Sequence, residues 1–284
     1  MQTAQLIDGK QIAAEINREI AQTVSTIQGR KPGLAFLLVG DNPASQSYVR
    51  SKKKACAATG IASTMLEFPT SISQTDLITQ IARLNADPAI DGILVQLPLP
   101  SHIEERAVTL AIDPAKDVDG FHPLNVGKML LGDETALLPC TPHGIQVLLE
   151  KCRIPVTGKH VVIVGRSNIV GKPLAALLMQ KKRGADATVT VCHSRSEHLH
   201  DIMRSADILV AAIGSPLFVR ANMIKPGAVI IDVGINRVDG KIVGDVDFEA
   251  ACQIASHITP VPGGVGPMTI AMLLKNTLLS YQRR

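Results

Sequence analysis

The chain has no tryptophan, and only two tyrosines and five phenylalanines among its 284 residues. A stacking platform for single-stranded nucleic acid needs several aromatic rings, so this scarcity argues against one. No apolar run reaches the roughly 18 residues that a membrane span requires. The opening stretch, Met1 to Lys10, has neither the basic nor the apolar segment of a signal peptide. Cysteine is sparse as well. Cys56, Cys140, Cys152, Cys192 and Cys252 are odd in number, widely spread and free of any C-x-x-C pair, so they make no disulfide framework. Nor does one sign of charge dominate: 29 basic residues against 25 acidic ones leave a net charge of +4. Apart from Lys52-Lys53-Lys54 and Lys181-Lys182-Arg183 they are scattered, which suits an anionic small molecule better than a phosphate backbone. The expectation is a reduced, cytoplasmic protein that engages neither nucleic acid nor membrane. With 46% hydrophobic residues the chain is not disordered, and its length allows one large or two ordinary domains.

Short β-rich runs alternate with helix-period runs throughout, the pattern of parallel α/β units. A first helix is expected over residues 9–28, with Asp8 as cap, Ile12, Ile16 and Ile20 on one face and Gly29 as stop. Strands are predicted at Leu34–Val39, Met65–Phe68 and Gly92–Leu97, and helices at Pro43–Thr59 and Gln74–Leu84. A second cycle starts with a helix from Thr141 to about Cys152. It continues with strands at His160–Val164, Ala187–Cys192, Ile208–Ala212 and Ala228–Asp232, a helix at Val170–Lys181 and a last helix from near Pro267. The fold class is therefore α/β, with two open α/β lobes, the second Rossmann-like. The boundaries expected are 1–140 plus the C-terminal helix 267–284 for the first lobe, and 141–266 for the second.

The sharpest local signal is Val161-Val-Ile-Val-Gly165-Arg-Ser-Asn-Ile-Val-Gly171-Lys-Pro173. A strand turning through glycine into a helix aims backbone N–H groups and the helix dipole at an anion. A Walker A loop has four residues between its glycines and then Lys-Ser/Thr; here there are five, and Pro173 follows Lys172. A dinucleotide fingerprint fits better, although Ser167 stands where the second glycine belongs and the last glycine falls one place late. The competing reading is a plain strand-turn-helix. At the end of the next strand stand Cys192-His193-Ser194-Arg195-Ser196, with no acid before Glu197. NAD-binding lobes place a carboxylate there for the ribose 2′-hydroxyl, whereas a 2′-phosphate needs cationic or hydroxyl groups. Arg166 and Arg195 therefore predict NADP, the alternative being two ordinary solvated arginines.

In the helix over Pro43–Thr59, Tyr48 and Lys52 lie one turn apart, on the stripe that also carries Ser45, Val49, Ala55 and Cys56. A lysine there either snorkels out of an apolar face or sits desolvated, where burial favours the neutral amine that acid/base catalysis uses. Gln96 ends a hydrophobic strand at the carboxyl edge, where open α/β sheets bind ligands. Asp117 and Asp119 lie in Lys116-Asp-Val-Asp-Gly-Phe-His-Pro123, where turn chemistry alone also accounts for them. Pro262-Gly-Gly-Val-Gly-Pro-Met-Thr269 is a second glycine loop leading into a helix, permitting close approach to a ligand or simply a tight turn. Cys192, His193, His198 and His200 match no usual zinc spacing, so no metal is expected.

Taken together, Tyr48-x-x-x-Lys52, Asp91-Gly-Ile-Leu-Val-Gln-Leu-Pro-Leu-Pro100, the 116–123 and 165–173 segments and the 262–269 loop closely resemble the methylenetetrahydrofolate dehydrogenase/methenyltetrahydrofolate cyclohydrolase family. The likeness spans essentially the whole chain, with no departure at these positions. It implies a folate cleft between a catalytic lobe and an NADP lobe, with the last helix returning to the first lobe. It also implies a homodimer acting on tetrahydrofolate derivatives. By motif matching, Lys52 would be the acid/base, Gln96 would hydrogen-bond it, Tyr48 would stack on the folate, and Asp119 would hold the pterin's amino-pyrimidine edge. Val95 and Leu97, which flank Gln96, belong to the same substrate site, and Pro262, Gly263, Gly264, Val265 and Gly266 would line the folate's remaining length. Gly165, Arg166, Ser167, Ser194 and Ile235 would hold the cofactor. The rivals are a shikimate-dehydrogenase-like or malic-type oxidoreductase, and a non-catalytic nucleotide sensor using the same glycine loop.

Overall fold

A computed structural model of the chain describes residues 3–284. The elements run β1 (Gln5–Leu6), α1 (Gly9–Thr26), β2 (Gly33–Val39), α2 (Pro43–Thr59), β3 (Ala62–Phe68), α3 (Gln74–Ala86), β4 (Gly92–Val95), α4 (Glu105–Ala111), α5 (Pro123–Leu130) and α6 (Cys140–Lys151). They continue β5 (His160–Val164), α7 (Gly171–Leu178), β6 (Thr188–Cys192), α8 (Leu199–Arg204), β7 (Ile208–Ala211), β8 (Val229–Asp232), β9 (Asn236–Val238), β10 (Lys241–Val243), α9 (Phe248–Cys252), β11 (His257–Ile258) and α10 (Val265–Gln282). The chain divides into two compact units: Ala14–Cys140 with Ile270–Arg284, and Thr141–Thr269 with the described residues up to Ala13.

The unit over Ala14–Cys140 holds a three-stranded parallel sheet in the order β3-β2-β4. Its central strand, Gly-Leu-Ala-Phe-Leu-Leu-Val, is buried at every position, as a parallel strand covered on both faces must be. Ala35, Leu37, Ile93 and Val95 of the sheet pack with Leu77, Ile81 and Val108 from α3 and α4. Strand β3 is an edge strand, alternately wetter and drier, and it starts three residues before the expected Met65. The earlier stretch Ala62-Ser63-Thr64 is polar yet pairs in register with Gly33-Leu34-Ala35. Strand β4 ends at Val95, two residues short of the expected Leu97. Gln96 still donates its backbone N–H to Leu37 O, but Pro98 lacks the N–H that pairing needs.

The other unit carries a six-stranded sheet, order β1-β11-β8-β7-β5-β6, in which every pairing is parallel. Strands β6 and β7 flank β5 on opposite sides, so the winding reverses at β5. A ligand crevice of a doubly wound sheet opens at that point. Strand β1 adds to the far edge, its Gln5 and Leu6 in register with His257 and Ile258. The expected boundary of 1–140 is corrected there: the chain's first strand completes the sheet of the 141–269 unit, because the β11 edge would otherwise be unpaired. The expected helix over Val170–Lys181 is shorter, Gly171–Leu178. A hairpin of β9 and β10 was not anticipated; its Asp239-Gly240 turn has both residues at positive φ, 49° and 76°.

Candidate active site

In α2 the buried positions are Ser45, Val49, Lys52, Cys56 and Thr59, a 3.6-residue stripe with a lysine in its middle. Lys52 is only 8% exposed, so it does not snorkel to water. Its Nζ donates to Gln96 Oε1 at 3.0 Å. An ammonium has no acceptor, so Gln96 must turn its oxygen inward, and its Nε2 then donates to Leu97 O at 2.7 Å. Tyr48 sits one turn before Lys52 and is exposed. The carboxyl end of β4 thus delivers Val95, Gln96 and Leu97, and α2 delivers the amine, to one place.

The segment after Lys116 supplies the acid. Asp117 is buried, and its carboxylate accepts from Phe121 N at 3.2 Å, His122 N at 2.8 Å and Asn125 Nδ2 at 2.9 Å. The loop is therefore wound around Asp117, which is more than an isolated turn. Asp119 lines a recess with Val95, Leu97, Asp117 and Phe121. Burial pushes its pKa up to about 6, the Lys52 ammonium pulls it back, and Asp117 pushes it further up. Lys52, Gln96, Val95, Leu97 and Asp119 are thereby brought together. Cys140, which the sequence reading only counted, borders the group: its buried thiol donates to Val118 O at 3.2 Å, and burial and Asp119 hold its pKa well above the ordinary thiol value.

Lys116 has a different task. It is 1% exposed and donates to Leu84 O, Asn85 O and Asp87 O, each at 2.8 Å. A buried cation capping the last carbonyls of α3 satisfies both the charge and the helix end.

The cofactor candidates lie on the other unit. The β5/β6 register sets Val164 opposite Cys192, so Gly165–Arg166 and His193–Arg195 leave the sheet side by side. Gly165 has φ +131°, and a Cβ there would come 2.1 Å from Ala212 O; a Cβ on Gly171 would come 2.1 Å from Gly165 O. Ser167 Oγ accepts from Val170 N at 3.1 Å and Gly171 N at 3.4 Å at the mouth of α7. Arg166, Ser167, Ser194, Arg195 and Ile235 are all exposed at this edge. Close backbone turns, a helix N-terminus and cationic groups without a competing acid fit a phosphorylated dinucleotide. Behind them, Asp245 accepts from Ile213 N and Gly214 N, and Asp232 from Gly234 N, Asp245 N and Val246 N. Burial holds the Asp232 carboxyl at about 6.

The Pro262–Gly266 loop belongs to this same unit. Lys10 N donates to Gly263 O at 2.9 Å, and a Cβ on Gly9 would lie 1.9 Å from Gly264 O, so the loop is clamped against the start of α1. A Cβ on Gly266 would meet Ile235 Cδ1 at 4.0 Å, which brings those two predicted positions together. Among the described residues no group of three or more His, Cys, Asp or Glu side chains is placed to hold a metal ion. No helix among them is long and apolar enough to cross a membrane.

Two family models match this chain. Residues 7–119 match the catalytic domain of tetrahydrofolate dehydrogenase/cyclohydrolase, and residues 139–284 match its NAD(P)-binding domain. The chain belongs to the tetrahydrofolate dehydrogenase/cyclohydrolase family. Another member, the "Bifunctional protein FolD" of Bacillus subtilis, is 56% identical over 284 residues, covering 99% of each chain. The solved bifunctional dehydrogenase/cyclohydrolase of Campylobacter jejuni superposes with a TM-score of 0.96 at 49% identity, covering 99% of both chains. The Trypanosoma brucei member, solved with NADP and an inhibitor, gives 0.94 at 42% identity, covering 100% of this chain and 99% of that one. Across the family match, the two model segments meet the two groups of site residues found above: Lys52, Gln96 and Asp119 in the first, Gly165 to Ile235 in the second.

Proposed function

We propose that this chain oxidises 5,10-methylenetetrahydrofolate to 5,10-methenyltetrahydrofolate with NADP, then hydrolyses the product to 10-formyltetrahydrofolate. The observation that carries the assignment is the buried Lys52–Gln96 pair beside Asp119, in a chain of the dehydrogenase/cyclohydrolase family. Bound NADP supplies the hydride acceptor for the first reaction. The trypanosomal relative's complex with NADP and the absence of an acid at His193–Ser196 support that choice, with Arg166 and Arg195 as partners of the 2′-phosphate. Gly165, Ser167, Ser194 and Ile235 complete the cofactor contacts.

The chain's own residues then divide the work. Ionised Asp119 accepts the two N–H groups of the pterin's amino-pyrimidine edge, fixing the folate's register. Tyr48 stacks on the ring system, with Val95 and Leu97 beside it. That alignment is most of what hydride removal needs from a protein. Hydrolysis needs more: water adds to the cationic methenyl carbon, one of its protons must reach N5 as the C–N5 bond breaks, and the other leaves to solvent as the formyl carbonyl forms. As the free amine Lys52 Nζ takes the first proton from the adding water and, as the ammonium, gives it to N5, while Gln96 Oε1 keeps the nitrogen aimed. The enzyme works as a cytoplasmic homodimer, as the resemblance implies.

The test follows NADPH absorbance on adding methylenetetrahydrofolate to the purified chain, and then the decay of the methenyl chromophore. Both signals are expected. NADP binding without either one contradicts the assignment and leaves a nucleotide sensor; NADPH formation with no enzyme-dependent methenyl decay contradicts its second half.

A further inference from the structure

Helix α10 is apolar on nearly every face, yet Asn276 lies within it at 2% exposure. Its Nδ2 donates to Val118 O at 2.9 Å and to Leu138 O at 2.9 Å, and lies 3.7 Å from Cys140 Sγ. Both amide hydrogens are thus spent on two chain segments that bracket Asp119. The same segments are stitched directly, Cys140 N donating to Asp119 O at 3.3 Å. They are also packed without a gap, since a Cβ on Gly120 (φ +75°) would come 2.4 Å from the Leu138 carbonyl carbon. One turn further along α10, the buried Ser280 hydroxyl lies 2.6 Å from both Asp91 O and Ala115 O, pinning the start of the same segment.

We propose that Asn276 is a positioning residue for folate binding: from α10 it fixes the backbone on which the Asp119 carboxyl is presented to Lys52 and Gln96. Asp119 needs such a tether. Burial and the neighbouring Asp117 both oppose its ionised form, so a slack loop relaxes by swinging the carboxylate toward water. The donors of Asn276 fall on Val118, adjacent to Asp119, and on Leu138, whose carbonyl carbon abuts Gly120. This inference rests on reading Asp119 as the folate anchor.

A four-way cycle of Asn276→Ala and Asp119→Ala tests it in the full chain, reading KM for methylenetetrahydrofolate, kcat and NADP affinity. Asn276→Ala is expected to raise the folate KM about tenfold, the effect of a displaced site group, with kcat and NADP affinity little changed. In the Asp119→Ala background the same substitution should do almost nothing further, because coupled residues are non-additive. Asn276→Ser, which keeps one donor, should recover part of the affinity. In Asn276→Ala the acid limb of folate affinity should also move to lower pH as the carboxyl gains water. Additive effects, or an equal loss of NADP affinity, overturn the proposal by making Asn276 a general stability residue. So does failure of both Asn276 variants to fold. An unchanged folate KM in Asp119→Ala alone instead overturns the anchor reading beneath it, and the proposal with it.

Discussion

Replacing Asp119 by asparagine removes a charge that the fold resists and the substrate uses, so stability and affinity should move in opposite directions. The folded protein holds this carboxyl at about 6 rather than the ordinary 3.8. A raised carboxyl stabilises the fold fully at pH values below the unfolded value, and that contribution is lost as pH climbs through about 6. At 1.36 kcal/mol per pH unit the difference is about 3 kcal/mol, and partial hydration of the half-buried residue reduces it to about 1–2 kcal/mol. Asp119→Asn should therefore be more stable than the parent by about 1–2 kcal/mol at pH 8, with the gap closing between pH 6 and pH 4. Urea unfolding at pH 8 and pH 5, with equal m-values, measures it. Folate KM should rise in the same variant, since one of the two acceptor oxygens becomes an NH2 donor that faces a substrate N–H. A variant equally or less stable at pH 8, or a gap independent of pH, refutes the reasoning about Asp119.

The remaining expectations concern other parts of the molecule. Lys116→Met strips the donor from three carbonyls at the end of α3, and should cost about 3 kcal/mol in chemical denaturation; a loss below about 0.5 kcal/mol, the range of an ordinary surface change, contradicts the cap. Gly171→Ala puts a Cβ 2.1 Å from Gly165 O, and isothermal titration should find NADP binding lost; retained affinity would show that the loop shape does not matter. Arg166→Ala and Arg195→Ala should each weaken NADP about tenfold, one charge-assisted contact's worth, and NAD hardly at all; equal losses show that neither reads a 2′-phosphate. In the parent, folate KM should climb as pH falls through about 6, and a flat profile from pH 5 to 8 removes Asp119 from binding.

How far the molecule could be read from its residues depended on whether the deciding contact was local. Helix α2 was legible to the residue because Pro43 and Gly60 punctuate it, and β5 because His160–Val164 is an unbroken apolar run. Strand β1 was not, since two residues acquire strand character only by pairing with β11, some 250 positions away. The β9–β10 hairpin carried its signal, Asp239-Gly240, but the flanking strands are too short and wet to show alternation. Lys52 stood out as a lysine on an apolar stripe. Its partner, Gln96, was suggested by its place at a strand end, and the family resemblance named it as the residue that hydrogen-bonds Lys52. Lys116 and Asn276 escaped notice because each acts on backbone carbonyls, and carbonyls leave no mark in a sequence. The glycine loop was readable as an anion cradle, while Asp232, the last residue of an expected strand, and Asp245 give no sign that they hold up its neighbours until the fold buries them.

All of the proposed chemistry converges on the Lys52 amine, and Lys52→Met keeps its stem while deleting its proton. Methenyl decay should fall to the uncatalysed rate in that variant, with NADPH formation impaired less. Cyclohydrolase activity equal to the parent's would contradict the account at its centre.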